Sequence, residues 1–197
     1  MGVMIDLEPA ARRLASVLDR ITDDQLGAPT PCRKASLGDL IDHVGSLSVA
    51  FTAAARKDTS VSGSGSADAS RLGADWRERI PQQLTFLAKA WRSPAAWEGM
   101  TKVGGLDLPA DVAGRIALDE LVLHGWDIAR TAGRPYEPAA EDLEACLELI
   151  PVMSPPEKRA VDDGLFGPAV DVPADAPLLD RVIGLSGRDP SWSPPAA

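Results

Sequence analysis

Apolar residues recur at spacings of three and four along most of this chain, the mark of amphipathic helices. The first stripe, Leu7, Ala11, Leu14, Val17, Leu18 and Ile21, predicts a helix from about Leu7 to Ile21, with Asp6 as its cap and Pro9 in the tolerant first turn. Thr22 and Gln25 have capping-box spacing for a short helical turn, and Pro29 and Pro31 then exclude regular helix. A second helix is predicted to open at Ser36, with Asp39 as reciprocal cap, and to reach about Lys57 on Leu37, Leu40, Ile41, Val44, Leu47 and Phe51. His43 falls on that inward face.

Residues 58–70 turn to Ser, Gly, Asp and Ala, which reads as a flexible crossover without chemistry. A third helix is predicted from about Arg71 to Arg92 on Leu72, Trp76, Ile80, Leu84, Leu87 and Trp91, with a kink or break at Pro81. Its aromatic stripe reads as core. The glycine-rich loop from Ser93 to Pro109 holds one extended piece, Met100 to Val103. A fourth helix starts near Pro109 or Ala110 and ends at Gly133, a C-cap, with Arg130 and Arg134 at its negative end. A fifth covers about Ala139 to Ile150, between Pro138 and Pro151. The remainder is proline-rich, with one short helix at Leu178 to Leu185. The expected organisation is a bundle over 1–150 and an extension over 151–197 that packs on it within the same domain.

The fourth helix carries the most informative stretch, Asp119 to Asp127. Glu120 and His124, four apart, project from one helix face. Ile116, Leu118, Leu121, Val122, Leu123 and Trp126 leave that helix almost no polar face, so the carboxylate needs a partner; a bare buried charge costs several kcal/mol. The only other histidine is His43. A lone histidine on an apolar face is more often a hydrogen-bonded core residue, but a second helix offering a carboxylate and an imidazole shifts the balance. The reading is a metal site of His43, Glu120 and His124.

Two histidines and a carboxylate with an open position are the ligands of catalytic rather than structural zinc, and the same set suits Ni, Fe or Mn. A thiol or a water on such an ion loses its proton near neutral pH. Asp127, at i+3 from His124, can orient a ligand or cap local backbone, and Trp126 reads as packing. Asp42 and Asp119 point elsewhere on their helices, which leaves solvated and ligand-supporting roles open.

Charge and composition narrow the partners. The 197 residues are 45% hydrophobic and 25% charged, enough for a real core, with a net charge of -9 and no basic cluster longer than pairs such as Arg12-Arg13. Nucleic-acid binding is not expected. No apolar run approaches a membrane span and the start lacks signal-peptide order, so a cytoplasmic protein is expected. The two cysteines make no disulfide framework. Cys146 reads as helix core; Cys32, in a turn before a helix start, is either a packed thiol or one whose thiolate helix-terminal amides favour.

Four long helices, the second crossover, and His43 followed by E-x-x-x-H at Glu120 and His124 resemble the DinB/YfiT-like metal-binding four-helix bundles, an all-α fold. Two stretches resemble signatures of the mycothiol-dependent maleylpyruvate isomerase N-terminal domain group: Pro29-Thr30-Pro31-Cys32 with Leu37 to Val44, and Leu118 to Arg130. The tail, Phe166 to Arg181 and Gly187 to Pro190, resembles a shorter single-domain branch of metal-binding proteins. The resemblance implies a divalent metal, commonly zinc, on His43, Glu120 and His124, with room for water, a thiol such as mycothiol, or substrate. It also implies S-transfer to, or isomerisation of, a small electrophile, and a homodimer. A protein that binds metal or a small ligand without chemistry, and a metal-dependent hydrolase, remain the alternatives. Where relatives carry a Pro-Gly/Asp-aromatic triplet after the cysteine, this chain has Arg33-Lys34-Ala35.

Overall fold

The computed structural model describes residues 4–32, 35–61, 67–153 and 166–195. Arg33 and Lys34 of the altered rim, and Ser62 to Ser66 of the crossover, lie outside them. Four helices build the core: α1 (Glu8–Leu18), α2 (Leu37–Ala55), α3 (Trp76–Trp91) and α4 (Ala110–Thr131). Each of α1 and α2 packs against both α3 and α4, so the first two helices occupy opposite corners of the bundle. The fold is the all-α, DinB-like arrangement expected. Further on, α5 (Ala140–Met153) packs on α4, and α6 (Leu178–Leu185) packs on α5. No helix among the described residues is long and apolar enough to cross a membrane.

Local chemistry explains most boundaries. The Asp6 carboxylate accepts from the Glu8 amide (3.0 Å), and Pro9 sits in the first turn of α1. At the start of α2 the capping box is complete: the Asp39 amide donates to Ser36 Oγ (3.2 Å) and the Ser36 amide to Asp39 Oδ2 (2.9 Å). The end of α4 is a Schellman turn, in which Gly133 takes φ 63° and the amides of Gly133 and Arg134 reach the carbonyls of Arg130 (3.1 Å) and Ala129 (2.8 Å). Before α2, Thr22 and Gln25 form the predicted box around a 3₁₀ turn at Asp23–Gln25, the Thr22 amide donating to Gln25 Oε1 (3.0 Å).

Five expectations need correction. Helix α1 stops at Leu18, although Ile21 is buried in the core as its stripe requires. Helix α3 begins at Trp76, not near Arg71: Ala69–Arg71 form a separate 3₁₀ turn capped by Asp68, and Gly73 takes φ 69°, where an α-helix cannot continue. The helix then runs unbroken through Pro81, which falls early enough that few intrahelical bonds precede it. Pro151 likewise lies inside α5, whose last turn therefore runs with one amide-to-carbonyl bond fewer. The loop before α4 is a hairpin, β1 (Met100–Val103) and β2 (Leu106–Pro109), with Val103 paired to Leu106 and Met100 to Pro109. Gly104 and Gly105 both have positive φ, as a two-residue turn of that hand demands.

Tryptophans set the approach of α3 and α4. Trp91 and Trp97 meet edge to face at 5.1 Å, the Trp91 indole donates to the Phe51 carbonyl (3.1 Å), and the Trp97 indole donates to the Trp91 carbonyl (2.7 Å). Both rings close over Gly114, where any side chain would collide with them.

Candidate metal centre

His43 projects from α2 and Glu120 and His124 from α4, and the packing of these two helices brings the three together. Glu120 Oε2 lies 2.8 Å from His124 Nε2 and 3.9 Å from His43 Nε2. One ligand atom from each residue lies within 4.8 Å of the others. The two imidazoles are 5.0 Å apart, ring centre to ring centre, and nearly perpendicular at 83°. An ion with tetrahedral bonds of about 2.1 Å spaces its ligands about 3.4 Å apart, so the observed separations bracket what a first-row divalent cation needs. The residues fit the group.

His124 is gripped at both nitrogens. Its Nδ1 lies 3.1 Å from Asp127 Oδ2, one turn further along α4, and this contact leaves Nε2 to face Glu120 and His43. Burial works against its charge, but Asp127 and Glu120 together outweigh that and raise its pKa to about 9. His43 behaves oppositely: burial first, and the neighbouring His124, push its pKa down to about 4 against the pull of Glu120 and Asp42. Burial would raise the Glu120 pKa, yet the bond from His124 and the nearby charges of both histidines hold it below the ordinary value.

The site has a closed and an open side. Its mostly apolar floor beside Glu120, lined by Leu14, Val44, Phe51, Leu87 and Leu121, leaves a hollow of about 10 Å³, room for one water at most. The side chains of His43 and Glu120 keep 20% and 21% of their surface, against 9% for His124, so approach is from their side.

The neighbouring acids divide sharply. Asp42 is buried and pairs with Arg71 (2.8 Å), and it also accepts from the Asp68 amide (3.2 Å); it ties the crossover to α2 and is not solvated. Asp119 is buried on another face of α4 against Cys146, and burial together with Glu120 raises its pKa to about 7. Trp126 lies in the core with the Arg130 guanidinium 5.8 Å above its ring. Cys32 is half-buried and interacts with the charge of Arg188, outside the cluster of three.

Two partners escaped sequence reasoning. Arg188, far away in the tail, donates to both oxygens of Asp127, from Nε (2.8 and 3.1 Å) and from Nη2 (2.9 Å). Tyr136 lays its ring over Gly125 and donates to the Leu121 carbonyl (3.1 Å), which buttresses α4 between its two metal-capable residues and Asp127. A single arginine in an irregular tail has no periodicity to betray it. The glycine after His124, in an otherwise bulky apolar run, was the available sign of a close approach.

This combination, a four-helix core with two histidines and a glutamate converging between two of its helices, defines a DinB-like protein with a metal-capable centre. The chain belongs to the mycothiol maleylpyruvate isomerase N-terminal domain family, whose model matches residues 7–129 and so includes all three residues of the cluster. It is also similar to two uncharacterized proteins of Mycobacterium tuberculosis, from strains CDC 1551 / Oshkosh and ATCC 25618 / H37Rv. Each is 26% identical over 195 residues, covering 95% of this chain and 98% of the relative. No solved structure gives a significant match.

Proposed function

We propose that the protein holds one divalent cation, zinc first among the candidates, on His43, Glu120 and His124. With a small thiol of the mycothiol type it would transfer sulfur to, or isomerise, a small electrophile. The carrying observation is the convergence of three ligand atoms from two helices within 4.8 Å, open to solvent on one side. Membership of the family supports the thiol.

When bound, the cation supplies a thiolate at neutral pH from a thiol that is otherwise mostly protonated. The chain's own residues do the rest. Glu120 offsets part of the ion's charge, Asp127 keeps the His124 ring turned so that Nε2 faces inward, and the apolar floor excludes water from beneath Glu120. Such chemistry belongs with a small-molecule partner in the cytoplasm, and the acidic protein offers a phosphate backbone nothing to hold.

The test is elemental analysis of protein purified without a histidine tag, wild type against His43→Ala and Glu120→Ala, followed by thiol-dependent consumption of electrophiles. About one metal per chain, lost in both variants, with turnover only in metal-loaded protein, is expected. Metal without thiol-dependent turnover would favour a binding module. No metal, even after adding zinc or nickel, would sink the reading.

A further inference from the structure

Asp127 is wholly buried, and both its oxygens are taken. Oδ2 is shared: His124 Nδ1 lies 3.1 Å away, and Arg188 Nε and Nη2 donate to the same atom at 3.1 and 2.9 Å. Arg188 is itself largely shielded, its side chain 10% exposed, and its Nη1 donates to Ser186 Oγ (3.2 Å). A planar guanidinium meeting a carboxylate at two points fixes the plane of that carboxylate, which a point charge does not.

The arginine is delivered to this place by a built structure. Helix α6 ends in its own Schellman turn, with Gly187 at φ 84° and the Arg188 amide donating to the Ile183 carbonyl (3.1 Å). Gly187 backs directly onto the Gly167 backbone, leaving no space for a Cβ, and the Val170 amide donates to the Gly184 carbonyl (2.9 Å). One turn beyond Asp127 on α4, Arg130 holds the carbonyls of Trp192 (2.6 Å) and Pro190 (3.3 Å). The tail is thus fastened to the helix bearing Glu120 and His124 at two successive turns.

We propose that Arg188 is a positioning residue of the metal site: by fixing Asp127 it fixes the His124 ring, and so makes the C-terminal segment a working part of the centre. This rests on the metal reading above and adds to it a residue outside the matched family region. The Asp127–Arg188 pair is neutral as a unit, so the carboxylate can accept the His124 N–H without adding net negative charge to a site that already contains Glu120.

The experiment is zinc affinity of the full chain by chelator competition, for wild type, Arg188→Met, Arg188→Lys, Asp127→Asn and the double variant Asp127→Asn/Arg188→Met. Thermal unfolding of each metal-free protein is measured alongside. Arg188→Met should bind zinc about 10- to 100-fold more weakly, the range typical for removal of a group that orients a ligand. Arg188→Lys, which keeps the charge but not the fork, should fall between. In the Asp127→Asn background the Arg188 effect should vanish, which a merely structural role would not produce. If Arg188→Met does not fold, Arg188→Lys carries the test. Affinities within twofold of wild type, or an Arg188 effect undiminished in the Asp127→Asn background, would overturn the inference. Wild type that binds no zinc would instead overturn the metal reading and the inference with it, an outcome separable from binding that the variants leave unchanged.

Discussion

His43 Nε2 and Glu120 Oε2, carried by two different helices, stand 3.9 Å apart at the same level of the bundle. The buried Nδ1 of His43 has no hydrogen-bond partner among the described residues. Glu120 is therefore the hub, bonded to one histidine and facing the other. Glu120→Gln keeps the shape and removes the charge, and should weaken zinc binding at least about 100-fold, beyond the range seen for groups that only orient ligands. Chelator competition reads the affinity, and far-ultraviolet circular dichroism should show the helical content unchanged.

A second prediction concerns Gly125. A Cβ there would overlap the ring and hydroxyl of Tyr136, which is buried and bonded to the Leu121 carbonyl. Gly125→Ala should destabilise the fold by about 1–3 kcal/mol, the usual cost of forcing extra atoms into a packed core. The strain should be shared with Tyr136. In a double-mutant cycle by urea unfolding, adding Tyr136→Ala should cost much less in the Gly125→Ala background than in wild type. Additive effects would show that the two do not meet.

Legibility in the sequence followed the range of the interaction. Periodicity found α1, α2 and α4, and the capping box of Ser36 and Asp39, because spacing and local hydrogen bonds set them within a few residues. It placed Leu72 correctly in the core yet assigned it to α3, since burial does not distinguish a helix from the 3₁₀ turn and Gly73 bend that precede it. The hairpin partner Leu106–Pro109 was missed: short, mostly exposed strands have no apolar alternation to detect, and Gly104-Gly105 was their real signal. In the site, His43, Glu120 and His124 were legible through residue type and helical spacing. Arg188 lies in the family-like stretch Gly187 to Pro190, but its pairing with Asp127 was not legible, since that depends on how the tail docks.

The cap of α2 gives a pH-dependent prediction. Asp39 is held below its ordinary pKa first by the Ser36 hydroxyl, then by the amides of Ala69 and Ser36. A carboxylate whose folded pKa is depressed contributes stability that is complete above its unfolded value, near 3.8, and is lost as pH falls through the folded value. The stability gap between wild type and Asp39→Asn, from urea unfolding, should be constant from neutral pH down to about 5 and close below about 4. Ser36→Ala, which removes the other half of the box, should cost about 1 kcal/mol at neutral pH.

The two thiols should behave oppositely toward alkylation. Cys146 is 1% exposed, and burial first, with the adjacent Asp119 carboxyl, pushes its pKa well above the usual value, so neither access nor thiolate is available in the folded chain. Cys32 is half-buried before the start of α2 and interacts with the charge of Arg188. Native protein treated with iodoacetamide should therefore acquire one label, found by peptide mass spectrometry at Cys32, and a second only on unfolding. Because the Cys146 rate then reports opening of the α4–α5 contact, Gly125→Ala should speed it, while Glu120→Gln, which alters the partly open cluster of His43, Glu120 and His124, should leave it near the wild-type rate. Fast labelling of Cys146 in native wild type would show that α5 opens independently of the bundle.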